Sequence, residues 1–146
     1  MAKTYHLSPW RRLVNDLVRG LLRVGLGPPH TYLLTVEGRR TRRVYSTPVT
    51  LVEEGGRRWL VAPYGEVAWV RNARVSREIT LSRGRRRERL VLFDVEPAEA
   101  ASVLQRYVAQ VPITRPFFDV TRESSLDAFA AEAARHPVFL LVREDE

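Results

Sequence analysis

Four arginines share one short stretch, Gly38-Arg39-Arg40-Thr41-Arg42-Arg43. Arginine guanidinium groups fork around phosphate and carboxylate oxygens, and exposed backbone N–H groups on a turn add to that attraction. This basic turn, residues 38–43, is therefore the best candidate for an anion-binding site. A solvated run of charge is the plainer interpretation, because the pattern alone specifies no ligand.

Apolar and aromatic residues form a second candidate site further along the chain. Ala62-Pro63-Tyr64-Gly65 follows an apolar run directly, and the glycine permits close approach of a ligand to the backbone. Trp69 and Asn72 are three residues apart, so on a helix they share a face. A basic turn opposite an apolar, aromatic wall suits a ligand with a flat ring and an anionic tail. Trp69 is equally well explained as a core residue.

Side chains that commonly carry out catalysis are scarce. The three histidines, His6, His30 and His136, are scattered, and the chain has no cysteine. Zinc-protease, serine-hydrolase and P-loop motifs are all missing, and no pair of carboxylates stands out. If the protein is an enzyme, we expect a cofactor to supply the difficult chemistry.

Length and charge limit the remaining choices. A chain of 146 residues predicts one domain, residues 1–146. The lack of cysteine fits a reducing, cytoplasmic compartment. Residues 1–93 carry 19 basic and 7 acidic side chains, a balance of +12, which favours an anionic partner. Arginine-biased coding is the plainer explanation, since only Lys3 is lysine.

A second arginine cluster lies on a predicted hairpin and is interpreted as a solvated turn. Its members are Arg83, Arg85, Arg86, Arg87 and Arg89. Together the two clusters resemble a nucleic-acid surface. Aromatic residues do not interleave with the arginines, however, and no nucleic-acid-binding module is recognisable. We therefore expect no nucleic-acid partner.

The first predicted element is an amphipathic helix over about residues 9–26. Ser8 is a favoured cap and Pro9 a favoured first residue, and Gly25 and Gly27 end the helix. Leu13, Leu17 and further apolar residues recur at helical spacing among arginines. Packing on a sheet is one interpretation, and peripheral contact with an anionic membrane is the other.

Alternation and turn residues predict six strands over 31–37, 44–53, 58–63, 77–82, 87–95 and 138–143. Helices are expected over 66–75, from Pro97 onward, and from Ser124 or Ser125 to about Arg135. The order α-β-β-β-α-β-β-α-α-β predicts an α+β fold, a small antiparallel barrel with flanking helices. Pro48 falls in mid-strand, which implies an edge, a bulge or a place where a ligand replaces the neighbouring strand.

Short motifs spread over nearly the whole chain resemble the deazaflavin (F420)-dependent nitroreductase family. They are Gly38-Arg-Arg-Thr41, Thr47-Pro-Val49, Leu60-Val-Ala-Pro-Tyr-Gly65 and Trp69-Val-Arg-Asn72. The resemblance implies a split β-barrel of the flavin/deazaflavin oxidoreductase type, with coenzyme F420 as cofactor and FMN as the less favoured alternative. It also implies hydride transfer to an electron-poor organic acceptor such as a quinone, an enone or a nitro compound.

The resemblance also assigns roles to residues of this chain. It implies that the cofactor is bound by Arg39, Arg40, Thr41, Arg43, Thr47, Pro48, Val49, Ala62, Pro63, Tyr64, Gly65, Trp69 and Asn72. Tyr64 is the candidate proton donor, with water an equal candidate. Phe117 and Phe118 either bound the acceptor pocket or fill the core. A tyrosine-rich segment typical of the nitroreductase itself is missing here, which weighs against nitroimidazole activation.

Two other functional classes are kept open. One is an FMN-binding split-barrel flavoprotein. The other is a non-catalytic protein that carries a deazaflavin or another ligand, or that associates with a membrane. The sequence leaves the oligomeric state, monomer or homodimer, undecided. We expect a small-molecule acceptor and no metal.

Overall fold

The computed structural model describes residues 9–41, 43–112, 114, 118 and 124–144. Within these residues, ten helices and strands follow one another in the predicted order. They are α1 (Pro9–Arg23), β1 (Thr31–Glu37), β2 (Val44–Glu54), β3 (Arg57–Val61), α2 (Ala68–Ser76), β4 (Glu78–Arg83), β5 (Arg86–Asp94), α3 (Pro97–Gln110), α4 (Leu126–Glu132) and β6 (Val138–Arg143). The predicted α+β class is therefore confirmed.

The six strands close into a barrel in the order β1-β2-β3-β6-β5-β4, and β4 pairs with β1 to complete it. All six pairings are antiparallel. The strand bounds agree with the predicted ones to within two residues, and those of β1 and β6 are as predicted. The largest difference is at β3, which ends at Val61 rather than residue 63, because Pro63 has no N–H to extend the ladder.

Two apolar clusters make up the core. The first fills the barrel and includes Val70 and Ala73, so α2 closes one end of the interior. The second lies outside the barrel, between the outer face of β2, β3 and β6 and helices α3 and α4. Leu104 and Phe129 are fully buried there. Ser125 caps α4, since its side chain accepts a hydrogen bond from the Ala128 N–H.

Helix α1 ends at Arg23, three residues earlier than predicted, because the chain turns at Gly25 with φ +84°. Leu22, fully buried, anchors the helix end. The opposite face is open to solvent, with Leu13 61% exposed and Leu17 64% exposed. Among the described residues, no helix is long and apolar enough to cross a membrane.

Arg83 corrects part of the second-cluster interpretation. Its guanidinium donates to the carbonyls of Gly27 at 2.9 Å, Pro28 at 2.7 Å and Thr31 at 2.9 Å. It therefore clamps the segment between α1 and β1 instead of lying in solvent. Arg85, in the same hairpin, is exposed as expected.

An ion-pair network lies near one end of the barrel interior and connects β2, β3, β5 and β6. Arg58 donates to Glu53 at 3.1 Å and to Glu88 at 2.9 Å, and Arg143 donates to Glu88 at 3.0 Å. Burial alone raises the pKa of Glu88, but the hydrogen bonds from Arg58 and Arg143 outweigh it, so that pKa is lowered. The charged network thus joins four strands, on the strand faces that also carry the interior core residues.

Candidate functional site

The basic turn has a compact, hydrogen-bonded shape. The buried Gly38 N–H donates to the Arg43 carbonyl at 2.6 Å, and the Arg43 N–H donates to Thr41 Oγ1 at 3.3 Å. A Cβ on Gly38 would lie 2.8 Å from the Tyr45 ring and 3.1 Å from the Arg43 carbonyl. Glycine is needed at this position because the turn closes on itself.

Arg39 connects the basic turn to α2. Asn72, only 4% exposed, accepts hydrogen bonds from the Arg39 N–H at 3.1 Å and from Arg39 Nη1 at 2.8 Å. The structure therefore brings together two predicted site residues that are 33 positions apart. Because the contact binds the Arg39 guanidinium to another residue of the protein, the main role of Arg39 is to fix the shape of the turn.

Arg40 and Arg43 are the exposed cations of the turn. Neither forms an ion pair with any residue in the part of the chain that the structure describes. Their charge remains available to an anion in solution. Arg42 lies outside the described residues.

The first half of β2 has one open edge. Residues 44–50 pair with β1, whereas the pairing with β3 begins only at Leu51. The Leu51 N–H donates to His30 on the β1 side, and N–H groups alternate along a strand, so position 48 faces away from β1. The edge interpretation of Pro48 is therefore confirmed. Thr47 and Pro48 are half-buried beside this edge, while Val49 packs in the core.

The Ala62–Gly65 loop is held by its own backbone and by the start of β6. The Ala62 N–H donates to the Pro137 carbonyl at 2.9 Å, and the Gly65 N–H donates to the Ala62 carbonyl at 3.2 Å. Gly65 has φ +82°, and a Cβ there would lie 3.1 Å from the Arg135 carbonyl. Packing within the protein thus explains this glycine without a ligand. Pro63 and Tyr64 are half-buried, as is Gly65.

Tyr64 packs against the outer cluster, beside Tyr107 of α3. Burial raises the pKa of Tyr107, and the neighbouring Tyr64 raises it further, whereas a hydrogen bond with Thr114 opposes them. Tyr107 is 3% exposed and stays neutral. Of these two tyrosines, Tyr64 is thus the one whose side chain reaches the surface.

Phe118 is buried in the outer cluster at 6% exposure. Its ring stacks on His136, with centroids 4.0 Å apart and planes at 26°. Of the two predicted roles, its burial supports filling the core. A place for this ring at the acceptor pocket stays a prediction. Phe117 lies outside the described residues.

Trp69 lies at the start of α2 and packs, half-buried, against the barrel core. The helix begins without a side-chain cap at Val67 and without an acidic residue in its first turn. The positive end of its dipole is therefore not offset by a helix carboxylate there. Trp69 and Asn72 share one helix, as predicted, and Asn72 supports the basic turn.

The described residues include no cluster of three or more His, Cys, Asp or Glu that could hold a metal ion. A cavity of about 400 Å³ lies between α3, α4 and the start of β6, with Arg74 and Asp94 in its wall. None of the predicted cofactor residues lines it.

The site residues left unpredicted are His136, Arg135 and Pro137. They contact or support the Ala62–Gly65 loop although they are about 70 positions away in the sequence. These three residues lie between α4 and β6, and nothing in their own types or spacing predicts a contact with the Ala62–Gly65 loop. Only the pairing of β3 with β6, Val61 opposite Val138, brings them there.

Comparisons with solved structures support the same barrel. A protein described as a domain-swapped dimer aligns at 17% identity and a TM-score of 0.57, covering 92% of this chain and 100% of that one. An F420-H2 dependent reductase, FDR-A, aligns at 17% identity and 0.56, covering 78% and 95%. A putative pyridoxamine 5'-phosphate oxidase from Listeria innocua aligns at 11% identity and 0.55, covering 90% and 94%. At these identities the likeness shows the fold.

A comparison with the curated proteins finds no match. The model of one protein family, F420H2-dependent quinone reductase, matches residues 11–121. This span contains the basic turn, the open edge of β2, the Ala62–Gly65 loop and α2. The chain therefore belongs to the F420H2-dependent quinone reductase family and is a reductase that uses coenzyme F420.

Proposed function

We propose that this protein reduces quinones, or electron-poor carbonyl and nitro compounds of similar shape, with F420H2. The observation that carries the proposal is the contact between Arg39 and Asn72, which ties the basic turn to the helix that follows the Ala62–Gly65 loop. Through it, exposed cations and an apolar wall belong to one site. The family description supports the quinone as the first acceptor to test.

The side chains present fit the two chemical parts of such a cofactor. Arg40 and Arg43 are exposed and free to bind its phosphate and acidic tail. We assign Arg39 and Thr41 to shaping the turn around that tail.

The ring is assigned to the open edge of β2 and the loop opposite it. Thr47 and Pro48 line the edge, and Pro63, Tyr64 and Trp69 supply half-buried apolar surface. Proline offers rigid contact without a competing donor. Val49, Ala62 and Gly65 support this surface from behind, because their side chains or backbone groups are used inside the protein.

When bound, the reduced cofactor supplies a hydride. The protein's part is to hold donor and acceptor within roughly 3–3.5 Å and to keep water away from the ring. The reduction of a quinone also consumes a proton. The Tyr64 hydroxyl is the candidate donor, since Tyr64 is the hydroxyl-bearing aromatic residue of the loop, and water is the alternative.

A binding titration of F420 against FMN tests the cofactor assignment. We expect tight binding of F420 and much weaker binding of FMN, because the longer anionic tail of F420 engages the basic turn. Equal affinity for both would contradict a role for that turn. Turnover of quinones, enones and nitroaromatics with F420H2 then ranks the acceptors, and inactivity towards all of them would favour a non-catalytic carrier.

Direct transfer is tested with deuterium at the transferable position of the reduced cofactor. We expect the label on carbon when the acceptor is an enone. Enones are used because hydride delivered to a quinone oxygen exchanges with water. An unlabelled enone product would exclude direct transfer even if binding were tight.

We further propose that α1 contacts an anionic membrane surface. Its outer face exposes Leu13 and Leu17, with Arg12 exposed beside them. Binding to anionic but not zwitterionic vesicles is expected, and Leu13→Ser with Leu17→Ser should abolish it. Leu126→Ser, at an exposed leucine on α4, is the control. A double variant that instead lowers the oligomeric state would assign this face to a second copy.

A further inference from the structure

His136 lies beneath the Ala62–Gly65 loop, where α4 gives way to β6. On one side the Pro137 carbonyl accepts the Ala62 N–H at 2.9 Å. On the other, the Arg135 carbonyl is so close to Gly65 that a Cβ there would lie 3.1 Å from it. The loop therefore rests on residues 135–137, with His136 at the centre of the contact.

The imidazole of His136 is enclosed on several sides. It is 5% exposed and stacks on Phe118 at a centroid distance of 4.0 Å. The carbonyls of Pro63 and Ala62 are close enough to favour its charged form. Nε2 lies 4.0 Å from the carboxylate of Glu132, which is 1% exposed.

One nitrogen of this ring has no evident structural use. Nδ1 is buried and has no hydrogen-bond partner among the described residues. A residue that only filled space here would not place a polar atom in this position, since an unpaired buried polar group is unfavourable. Phenylalanine or leucine would fill the space without that cost. The histidine is thus better explained by what its two protonation states do to the loop.

We propose that His136 is a positioning residue, whose neutral imidazole holds the Ala62–Gly65 loop in the form that receives the cofactor ring and whose protonation releases it. The inference rests on the proposed function, because it assigns the loop to the cofactor. His136 itself does not touch the reacting atoms.

The direction of the effect follows from the surroundings of the ring. Burial lowers the pKa of His136 below its ordinary value, outweighing Glu132 and the carbonyls of Pro63 and Ala62, which favour the charged form. Arg135 also disfavours the proton, and the buried Tyr107 stays neutral. The native loop therefore resists protonation, and a local opening that exposes His136 to water accepts the proton more readily. Below about pH 6.5, the ordinary pKa of histidine, acid favours the open form.

The test compares wild type, His136→Gln and His30→Gln between pH 8 and pH 5. His30 is the matched control because it is an exposed histidine paired with Glu53 at 2.9 Å, away from the loop. We expect F420 affinity of the wild type to fall with acid below pH 6.5, by no more than about tenfold per pH unit for a single proton. The affinity of His30→Gln should depend on pH as that of the wild type does. The affinity of His136→Gln should lack the acid-dependent decrease that His136 causes. Protonation of F420 itself affects the affinity of all three proteins equally, so it cancels when they are compared.

Hydrogen exchange of the cofactor-free protein provides a second readout. Peptides spanning residues 62–67 should exchange faster in acid in wild type than in His136→Gln at the same pH, while β1 peptides should not differ. Comparing the two proteins at the same pH removes the effect of pH on the intrinsic rate of hydrogen exchange. If His136→Gln fails to fold, the wild-type exchange profile alone decides, with β1 as the internal reference.

The outcomes separate the two proposals. Identical pH profiles of affinity and exchange in wild type and His136→Gln overturn the role of His136. Absence of F420 binding at every pH overturns the proposed function and, with it, the cofactor half of this inference. In that case a difference in exchange would still show that His136 controls the loop.

Discussion

Asn72 and Arg39 form the contact on which the basic turn depends. One buried carboxamide oxygen receives both the backbone N–H, at 3.1 Å, and the guanidinium Nη1, at 2.8 Å. The backbone contact fixes where the turn lies, and the side-chain contact holds the half-buried Arg39 guanidinium against α2. The two neighbouring arginines, Arg39 and Arg40, are thereby given different roles.

The first prediction separates these roles by salt. Arg39→Ala and Arg40→Ala should each weaken F420 binding by about 1.5–3 kcal/mol, the range for hydrogen bonds to charged groups. The loss at exposed Arg40 should shrink as ionic strength rises, because it is a screened charge effect. The loss at Arg39 should persist, because it acts through the shape of the turn. Titrations at low and high salt measure both, with exposed Arg85→Ala as the control.

A double-mutant cycle adds a check on the contact itself. Arg39→Ala and Asn72→Ala should be non-additive by about 0.5–3 kcal/mol, as expected for residues in contact. Strict additivity would mean that Asn72 does not act through Arg39.

The second prediction concerns Gly38. Gly38→Ala should lower the free energy of unfolding by about 1–3 kcal/mol, as overpacking does. The exposed Tyr45 ring can swing away from the new methyl group, but the Arg43 carbonyl at 3.1 Å cannot, since it accepts the Gly38 N–H. F420 affinity should fall as well, because the same turn carries Arg40.

Gly20 is the matched control for that substitution. A Cβ there meets nothing within 4 Å, and the residue lies in α1. Gly20→Ala should therefore stabilise the protein by about 0.5–1 kcal/mol, the helix preference for alanine. Urea denaturation measures both variants. A Gly38→Ala variant as stable as wild type would contradict the closed turn.

The third prediction concerns Glu88 and pH. Because hydrogen bonds from Arg58 and Arg143 lower its pKa, Glu88 stabilises the fold above its unfolded-state pKa, about 4.3. This stability is lost as pH falls through the lower folded-state value. Glu88→Gln should cost about 1.5–3 kcal/mol at pH 7, and the difference from wild type should narrow towards pH 3.

Glu78 supplies the comparison for Glu88. It pairs with Arg89 at 3.1 Å but is exposed, so Glu78→Gln should change stability by less than about 1 kcal/mol. Urea denaturation at several pH values measures both. A constant difference between wild type and Glu88→Gln across the pH range would show that the charge of Glu88 is not what stabilises the barrel.

Local patterns in the sequence predicted the helices and strands well, but they could not predict contacts between residues far apart in the sequence. Strand alternation and turn residues are properties of neighbouring positions, so the six strands and their order followed from the sequence. An edge position was one of three interpretations of Pro48, since the missing N–H of proline can be read from the sequence, but only the strand pairing selects it. The Arg83 clamp depends on a segment more than 50 positions earlier, and charge clustering alone made it resemble solvated surface.

The same limit applies to the candidate site. Motif resemblance named both Arg39 and Asn72, but only the fold shows that they bond to each other. Gly65 was assigned to close ligand approach, yet the Arg135 carbonyl already explains it. His136 was dismissed as one of three scattered histidines, because its position beneath the loop is set by the pairing of β3 with β6.

The last prediction concerns Tyr64 as proton donor. Tyr64 is half-buried at the surface end of the loop, whereas the neighbouring Tyr107 is 3% exposed and kept neutral by burial. Tyr64→Phe should therefore lower turnover of a quinone, by at most about 10²–10⁴-fold, the usual contribution of a general acid. F420 affinity should stay near that of wild type, since the ring and its packing are kept. Tyr32→Phe is the control, because its hydroxyl bonds to Glu53 of the ion-pair network at 3.0 Å and Tyr32 is not one of the assigned site residues. Steady-state kinetics with F420H2 measure both variants across pH. Unchanged turnover in Tyr64→Phe would assign the proton to water, and an equal loss in Tyr32→Phe would trace the effect to the fold.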